Sequence, residues 1–88
     1  MSSSMNYSIS IKQSALKALA KIAVQQRLRL IEAIEKLRTN PNAGSVLKGE
    51  FSGLRRIRIG DYRIVYEVQN RKLLILVVRV AHRRDVYK

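Results

Sequence analysis

The chain has 88 residues, with 18 lysines and arginines against six acids, a formal net charge of +12 and no cysteine. This length allows one domain with a thin core. The lack of cysteine excludes a disulfide scaffold, a zinc ribbon and a thiol nucleophile, and the single histidine, His82, excludes a histidine metal cage. The six carboxylates form no cluster of the kind that holds two Mg²⁺ ions, so we expect neither a metal nor a cofactor.

The composition predicts a soluble cytoplasmic protein with a polyanionic partner. Residues 1–4 lack the apolar stretch of a secretory signal, and the longest apolar run, residues 73–78, is too short to span a membrane. Positive charge is spread along both halves of the chain and attracts polyanions. Nucleic acid is the first candidate partner, an anionic membrane surface the second and an acidic protein the third. The remaining alternative is a basic protein whose charge serves only solubility.

The first half of the chain predicts a strand followed by two helices. Residues 7–11 alternate between apolar and polar side chains, as in a short strand. Ser14 suits a helix N-cap, and apolar residues then recur at helical spacing until Pro41, which cannot continue a helix. These signals predict a helical hairpin over residues 13–39, whose apolar stripes need a sheet to cover.

The second half predicts an antiparallel meander. Residues 54–59 and 62–69 alternate around Gly60-Asp61, a two-residue turn signal in which Gly60 adopts a positive φ. After a second tight turn at Asn70-Arg71, residues 72–80 are almost wholly apolar, which predicts a central strand covered on both sides.

Together these elements predict a small α+β protein with a single domain over residues 7–88 and an N-terminal tail over residues 1–6. The predicted order is an N-terminal strand, a two-helix hairpin, an antiparallel three-strand meander and a short C-terminal tail. Residues 42–53, which contain three glycines, are predicted to form a loop between the helices and the meander.

The hairpin register predicts a concentration of arginines on one face of the sheet. If Gly60-Asp61 is the turn, Arg58 lies opposite Arg63, and Arg56 projects on the same side. Like charges directly opposite each other on a sheet are destabilising. Because guanidinium groups match phosphate oxygens in pairs, this face predicts a phosphate-binding site. The alternative is a solvated basic face on which Glu67 bridges the arginines.

The same counting extends the face onto the third meander strand. Leu74, Leu76 and Val78 fall beside the arginines, and apolar surface next to a charge cluster suggests a protein partner that covers it. Arg79 falls on the helix side near Tyr62, where we expect a structural ion pair, with Asp61 as its candidate partner.

The C-terminal tail, residues 81–88, contains groups suited to RNA chemistry. Histidine is the side-chain type that most readily exchanges a proton near neutral pH, which draws attention to His82. Tyr87 can stack on a base or donate to a phosphate. The structural alternatives are a surface histidine and a packed terminal aromatic.

Two segments together resemble the RelE branch of the RelE/ParE toxin superfamily. They are Gly-Asp-Tyr-Arg-Ile-Val-Tyr-Glu at residues 60–67 and Val-Val-Arg-Val-Ala-His-Arg-Arg-Asp-Val-Tyr at residues 77–87. Residues 37–41 and 54–58 fit as well, so the likeness runs over nearly the whole chain. The resemblance implies a toxin of a type II toxin–antitoxin pair that inhibits translation by cutting mRNA in the ribosomal A site. In that family the ribose 2′-OH attacks the adjacent phosphate without a metal.

The resemblance also implies the catalytic residues, which are Arg56, Arg58, Arg63, Arg83 and Tyr87. The best-known RelE toxin has lysines where this chain has Arg56 and Arg58. Arginine does not give up its proton, and a general base needs an accessible neutral form. We therefore interpret Arg58 as a phosphate clamp that stabilises transition-state charge, with His82 or Tyr87 as the proton acceptor.

The implied partners are the ribosome, the mRNA in its A site and an acidic antitoxin. The antitoxin would cover the arginines and the apolar residues beside them, and it would connect the toxin to operator DNA.

A ParE-like toxin that poisons DNA gyrase is the main alternative, but such chains generally lack an arginine face with a terminal tyrosine. A non-catalytic nucleic-acid binding module is another alternative, and its affinity would fall steeply with salt. A membrane-surface protein is disfavoured because neither helix combines a dense basic face with bulky aromatics.

Overall fold

A computed structural model describes residues 6–47 and 53–85, which form a five-stranded sheet with two helices on one face. The elements are β1 (Ser8–Ile11), α1 (Gln13–Ala20), α2 (Val24–Lys36), β2 (Ser45–Val46), β3 (Leu54–Ile59), β4 (Tyr62–Gln69) and β5 (Leu74–His82), with short 3₁₀ turns at Asn70–Lys72 and Arg83–Asp85. The strand order is β1-β5-β4-β3-β2, in which β1 pairs parallel with β5 and the other pairs are antiparallel. The predicted α+β class and the order of its elements are confirmed.

The structure adds β2, a strand that the sequence analysis assigned to a loop. Ser45 pairs with Arg56 and Val46 with Arg55, so this short strand lines the outer edge of β3. Two residues are too few to show an alternating pattern, and the glycines around them masked the strand.

The helical hairpin is correct in outline, but its start differs from the prediction. Lys12 occupies the N-cap of α1 without a side-chain cap bond, and Ser14 lies inside the helix. The N-cap assignment of Ser14 was therefore wrong. The chain leaves the helical conformation before α2, where Ala23 has an extended ψ of 145°.

The core lies between the helices and one face of the sheet. Leu30 and Ile34 of α2 are buried together with Ile64, Tyr66 and Val77 of the central strands. Burying a large apolar side chain contributes about 1.5–3 kcal/mol, so this single layer supplies most of the stabilisation of a small domain. Among the described residues no helix is both long and apolar enough to cross a bilayer.

The central position of β5 is confirmed, but its predicted cover on both faces was wrong. Ile75 and Val77 are buried against the helices, whereas Leu74, Leu76 and Val78 of the opposite face are only half-buried. An apolar run is also compatible with a strand that has one covered face, because the exposed side can be held for a partner.

Tyr66 ties the segment before β2 to the sheet. Its hydroxyl donates a hydrogen bond to the carbonyl oxygen of Pro41 at 2.8 Å and accepts one from the backbone N–H of Gly44 at 2.9 Å. The side chain is fully buried. Burial raises the pKa of the Tyr66 hydroxyl, because the phenolate would be poorly solvated there, although the bond from Gly44 opposes the shift.

The Tyr66→Phe variant is expected to lose about 1–3 kcal/mol of unfolding free energy, because the backbone groups of Pro41 and Gly44 lose their partner. Since the folded-state pKa of Tyr66 is raised, its contribution is complete below the ordinary tyrosine pKa of about 10 and is lost as the pH rises through the folded value. Urea denaturation of both proteins between neutral pH and pH 11 checks this. The stability difference should shrink at the alkaline end, and a difference that grows there would contradict the assignment.

Candidate functional site

The register of the β3–β4 hairpin brings the predicted arginines onto one face. Arg58 lies directly opposite Arg63, and Arg56 lies opposite Val65. Ile57 and Ile59 pack against the core, so Arg56 and Arg58 project from the other side of β3. Gly60 has the expected positive φ of 60°, which sets this register through the two-residue turn. We call the sheet surface that carries Arg56, Arg58 and Arg63 the arginine face.

No carboxylate within residues 6–47 and 53–84 forms an ion pair with Arg56, Arg58 or Arg63. The ion pairs seen there join Arg38 to Glu35 and Arg83 to Asp61. Glu67, which sits on the same face, accepts a hydrogen bond from Gln69 Nε2 at 2.8 Å. The alternative in which Glu67 bridges the arginines is therefore not seen in the described residues.

Arg63 carries a buried donor without a partner. Its Nε–H is shielded from solvent, and no acceptor lies within hydrogen-bond distance in the described part of the chain. An unmade bond at a buried donor costs about 1–3 kcal/mol. An anion that reaches this nitrogen would remove that cost, so the site favours ligands with oxygen acceptors.

A β-bulge in β5 moves Arg79 to the arginine face. Val65 pairs with Arg79 but Tyr66 pairs with Val77, which leaves Val78 as an extra residue. The prediction that Arg79 lies on the helix side with Asp61 was therefore wrong. Strict alternation of side chains assigns every residue after a bulge to the wrong face of the sheet, because the bulge adds one residue. Nothing in the local sequence marks the position of this bulge.

The arginine face contains a cleft of about 680 Å³. Its walls include the guanidinium-bearing residues Arg56, Arg63 and Arg79 and the apolar residues Leu54 and Val65. Val78 and Ala81 of β5 also line the cleft, as do Leu47 and the start of α1 at Ser14 and Ala15. The combination of several cations with apolar walls suits an anionic ligand that also has non-polar parts.

Arg83 is placed at the same end of the sheet as the Arg58–Arg63 pair. Its backbone N–H donates to the carbonyl oxygen of Asp61 at 2.7 Å, which fixes the first residue of the tail to the β3–β4 turn. The Nε atom of Arg83 lies 3.8 Å from Oδ1 of Asp61, and the two side chains are 63% and 62% exposed. Such an exposed pair is weak, so an anionic ligand can draw the Arg83 guanidinium away from Asp61.

His82 is not brought together with the arginines. Ala81 lies opposite Arg63 and faces the cleft, so His82 projects to the other side of β5. There its ring meets Tyr62 edge to face, with the centroids 5.2 Å apart, and Nδ1 accepts a hydrogen bond from the backbone N–H of Arg84 at 3.1 Å. Tyr87, the remaining candidate, lies outside the described residues.

Comparison with known proteins agrees with this architecture. The family model described as the ParE toxin of the type II toxin–antitoxin system parDE matches residues 9–87. Toxin RelG of Mycobacterium tuberculosis is 28% identical over 86 residues, which cover 96% of this chain and 99% of that protein.

Solved structures show the same fold. The RelBE2 toxin–antitoxin complex of Mycobacterium tuberculosis matches with a TM-score of 0.84 and 25% identity, over 92% of this chain and 95% of that one. The RelE–RelB complex of Pyrococcus horikoshii matches with a TM-score of 0.75 and 28% identity, over 93% of this chain and 100% of that one. The resemblance found in the sequence is confirmed: the chain belongs to the ParE toxin family of type II toxin–antitoxin systems, within the RelE/ParE superfamily.

Proposed function

We propose that the protein is a ribosome-dependent mRNA endonuclease that inhibits translation. The observation that carries this proposal is the cross-strand pair of Arg58 and Arg63, which holds two like charges together with a buried, unpartnered donor on Arg63. A folded protein gains nothing from this arrangement on its own, because directly opposed like charges are destabilising. A phosphate bound between the two guanidinium groups turns that cost into binding energy.

The chemistry follows from the charge that develops during cleavage. When a ribose 2′-OH attacks the adjacent phosphate, negative charge builds on the phosphoryl oxygens. Arg58 and Arg63 present planar donors at this point, and Arg83 adds a third cation once it leaves Asp61. Arg56 lies two residues from Arg58 on β3. It binds the RNA next to the reacting phosphate. None of the arginines serves as the base, since each keeps its proton.

The arrangement of His82 argues against the role of base that the sequence analysis gave it. Nδ1 is occupied by the N–H of Arg84, so a neutral His82 carries its proton on Nε2 and has no acceptor nitrogen left. His82 instead closes the turn that presents Arg83. Tyr87 is then the remaining candidate for proton acceptor.

Replacement of His82 by asparagine or by glutamine separates these two roles. Asparagine places an acceptor near the position of Nδ1 and keeps the turn, whereas glutamine places its polar atoms near the position of Nε2. If His82 closes the turn, His82→Asn should retain most of the cleavage rate and His82→Gln should lose more. If His82 is the base, both variants should lose about 10²–10⁴-fold, because general-base catalysis contributes that much. Single-turnover cleavage by each purified variant distinguishes the outcomes.

Primer extension on mRNA, with and without ribosomes, tests the proposed function. Cleavage that appears only with ribosomes supports it. Binding of RNA that weakens with salt and leaves no cleavage products would identify a non-catalytic module instead.

The match to a family named for ParE favours gyrase poisoning as the second candidate function. Intact mRNA together with inhibited gyrase supercoiling would select that candidate.

We also propose an acidic antitoxin as the partner that silences the arginine face. Related structures are complexes of RelE with RelB antitoxins. Leu74, Leu76 and Val78 remain half-buried beside the arginines, so a single acidic and apolar segment can cover both. A complex that leaves Arg56, Arg58 and Arg63 open to solvent would replace this scheme with indirect inhibition.

A further inference from the structure

The β-bulge gives the arginine face a second row of cations. Arg58, Arg63 and Ala81 form one row across β3, β4 and β5, and Arg56, Val65 and Arg79 form the next. Consecutive rows are two residues apart on each strand, which corresponds to about 6.6 Å. In a regular ladder Val78 would pair with Val65, Arg79 would point to the helix side and the second row would hold a single arginine.

The second row shares one cleft with Arg63. Arg56 and Arg79 line it from its two flanking strands, and the smaller side chain of Val65 lies between them. Ala81, opposite Arg63, places only a methyl group beside that residue on β5. The cleft therefore runs from Arg63 of the first row into the second row, whereas Arg58 lies outside its lining.

We propose that Arg56 and Arg79 bind a second backbone phosphate of the RNA, next to the phosphate that reacts over Arg58 and Arg63. This inference rests on the proposed function and extends it to a residue outside the catalytic set. Arg79 is a binding residue in this scheme: it holds the strand in register and does not touch the reacting atoms. The apolar residues Leu54 and Val78 line the same cleft and contact the ribose or base between the two phosphates.

The spacing favours RNA over an acidic peptide. An RNA strand carries a phosphate on every nucleotide, so a strand whose reacting phosphate lies over the first row necessarily brings another phosphate nearby. A peptide places a carboxylate over the second row only if its sequence supplies one. Arg63 of the first row and Arg56 and Arg79 of the second row line one cleft, and this arrangement matches the invariant repeat of a nucleic-acid backbone.

The salt dependence of RNA binding tests this assignment. Binding of a short single-stranded RNA, made uncleavable by 2′-O-methyl groups, is measured by fluorescence anisotropy at several KCl concentrations. Each phosphate contact to a single strand contributes about 0.7 to the slope of log K against log salt. The Arg79→Gln variant should lose about that slope and bind roughly 10-fold more weakly at low salt. Arg79→Lys keeps the charge and should keep the slope.

The matched control is Arg71→Gln. Arg71 is an exposed residue of the 3₁₀ turn between β4 and β5, so this variant loses the same charge away from the cleft. It should leave the slope within experimental error of the wild-type value. An equal loss of slope in both variants would show that only net charge matters and would overturn the proposal.

A second readout separates binding from chemistry. In ribosome-dependent cleavage, Arg79→Gln should raise the toxin concentration needed for half-maximal rate while the maximal rate stays unchanged. A lower maximal rate with unchanged RNA binding would make Arg79 a catalytic residue and would overturn the proposal. An unchanged RNA slope combined with lost binding of a glutamate-rich peptide would overturn it in favour of a peptide ligand.

The two proposals fail in different ways. If the wild-type protein cleaves no RNA but its binding slope still depends on Arg79, the endonuclease assignment is lost and the phosphate subsite stands. If cleavage is observed and the slope does not change in Arg79→Gln, the subsite is lost and the endonuclease assignment stands.

Discussion

Replacing Arg58 with glutamine is expected to make the protein more stable and less active at the same time. Directly opposed like charges on a sheet cost about 0.2–1 kcal/mol, and the Arg58→Gln variant removes the charge that opposes Arg63. Loss of one donor that stabilises transition-state charge lowers a catalytic rate by about 10²–10³-fold. Urea denaturation and single-turnover cleavage on programmed ribosomes measure the two effects.

Two further variants make the Arg58 result specific. Arg58→Lys keeps the cation and should retain much of the cleavage. Arg71→Gln removes one positive charge from the β4–β5 turn and should change neither stability by more than about 0.5 kcal/mol nor the cleavage rate. If Arg58→Gln lowers stability, the two opposed guanidinium groups are not strained, and the physical basis of the proposed site is lost.

Replacing Gly44 with alanine is expected to reduce stability and activity together. A Cβ atom at this position would lie 2.6 Å from the carbonyl oxygen of Arg56 and 2.9 Å from the hydroxyl of Tyr66. Both neighbours are held, one in the backbone of β3 and the other by its bonds to Pro41 and Gly44. Overpacking of this kind costs about 1–3 kcal/mol. Relief of the clash displaces β3, which carries Arg56 and Arg58.

Ser45→Ala is the control for the Gly44 variant, because Ser45 is the next residue in the chain and its side chain is exposed. It should leave the denaturation midpoint and the cleavage rate near the wild-type values. The activity of Gly44→Ala should be compared under conditions in which both proteins are fully folded. Full activity in that comparison would show that the position of β3 is not set by the close approach at Gly44.

The sequence predicted the arginine face because a two-residue turn determines a register. Once Gly60-Asp61 is identified, every partner in the β3–β4 hairpin follows by counting, and the pair of Arg58 and Arg63 was found in this way. The same counting failed in β5, because one bulged residue shifts the phase and is invisible in a run of apolar side chains. The same error affected the predicted ion pair of Asp61. Asp61 has an arginine partner as expected, but this partner is Arg83 in place of the predicted Arg79.

The tail shows a different limit of sequence reasoning. Residue types identified His82 as a candidate base, but its Nδ1 atom accepts a hydrogen bond from the backbone N–H of Arg84. Such a bond depends on how the chain turns after β5, and a 3₁₀ turn of three residues leaves no periodic signal. The identity of a side chain could be read from the sequence, but the direction in which its lone pair points could not.

The bulge at Val78 also bears on how this protein can evolve. The residues of β5 before it belong to the scaffold, where Ile75 and Val77 must stay in phase with the core. The residues after it follow a shifted phase, which places Arg79 and Ala81 on the arginine face. Because the bulge takes up one residue, loss of the Val78 codon would leave Arg79 beside Val65 in a regular ladder, so β5 can change length at this junction without changing the face on which Arg79 lies.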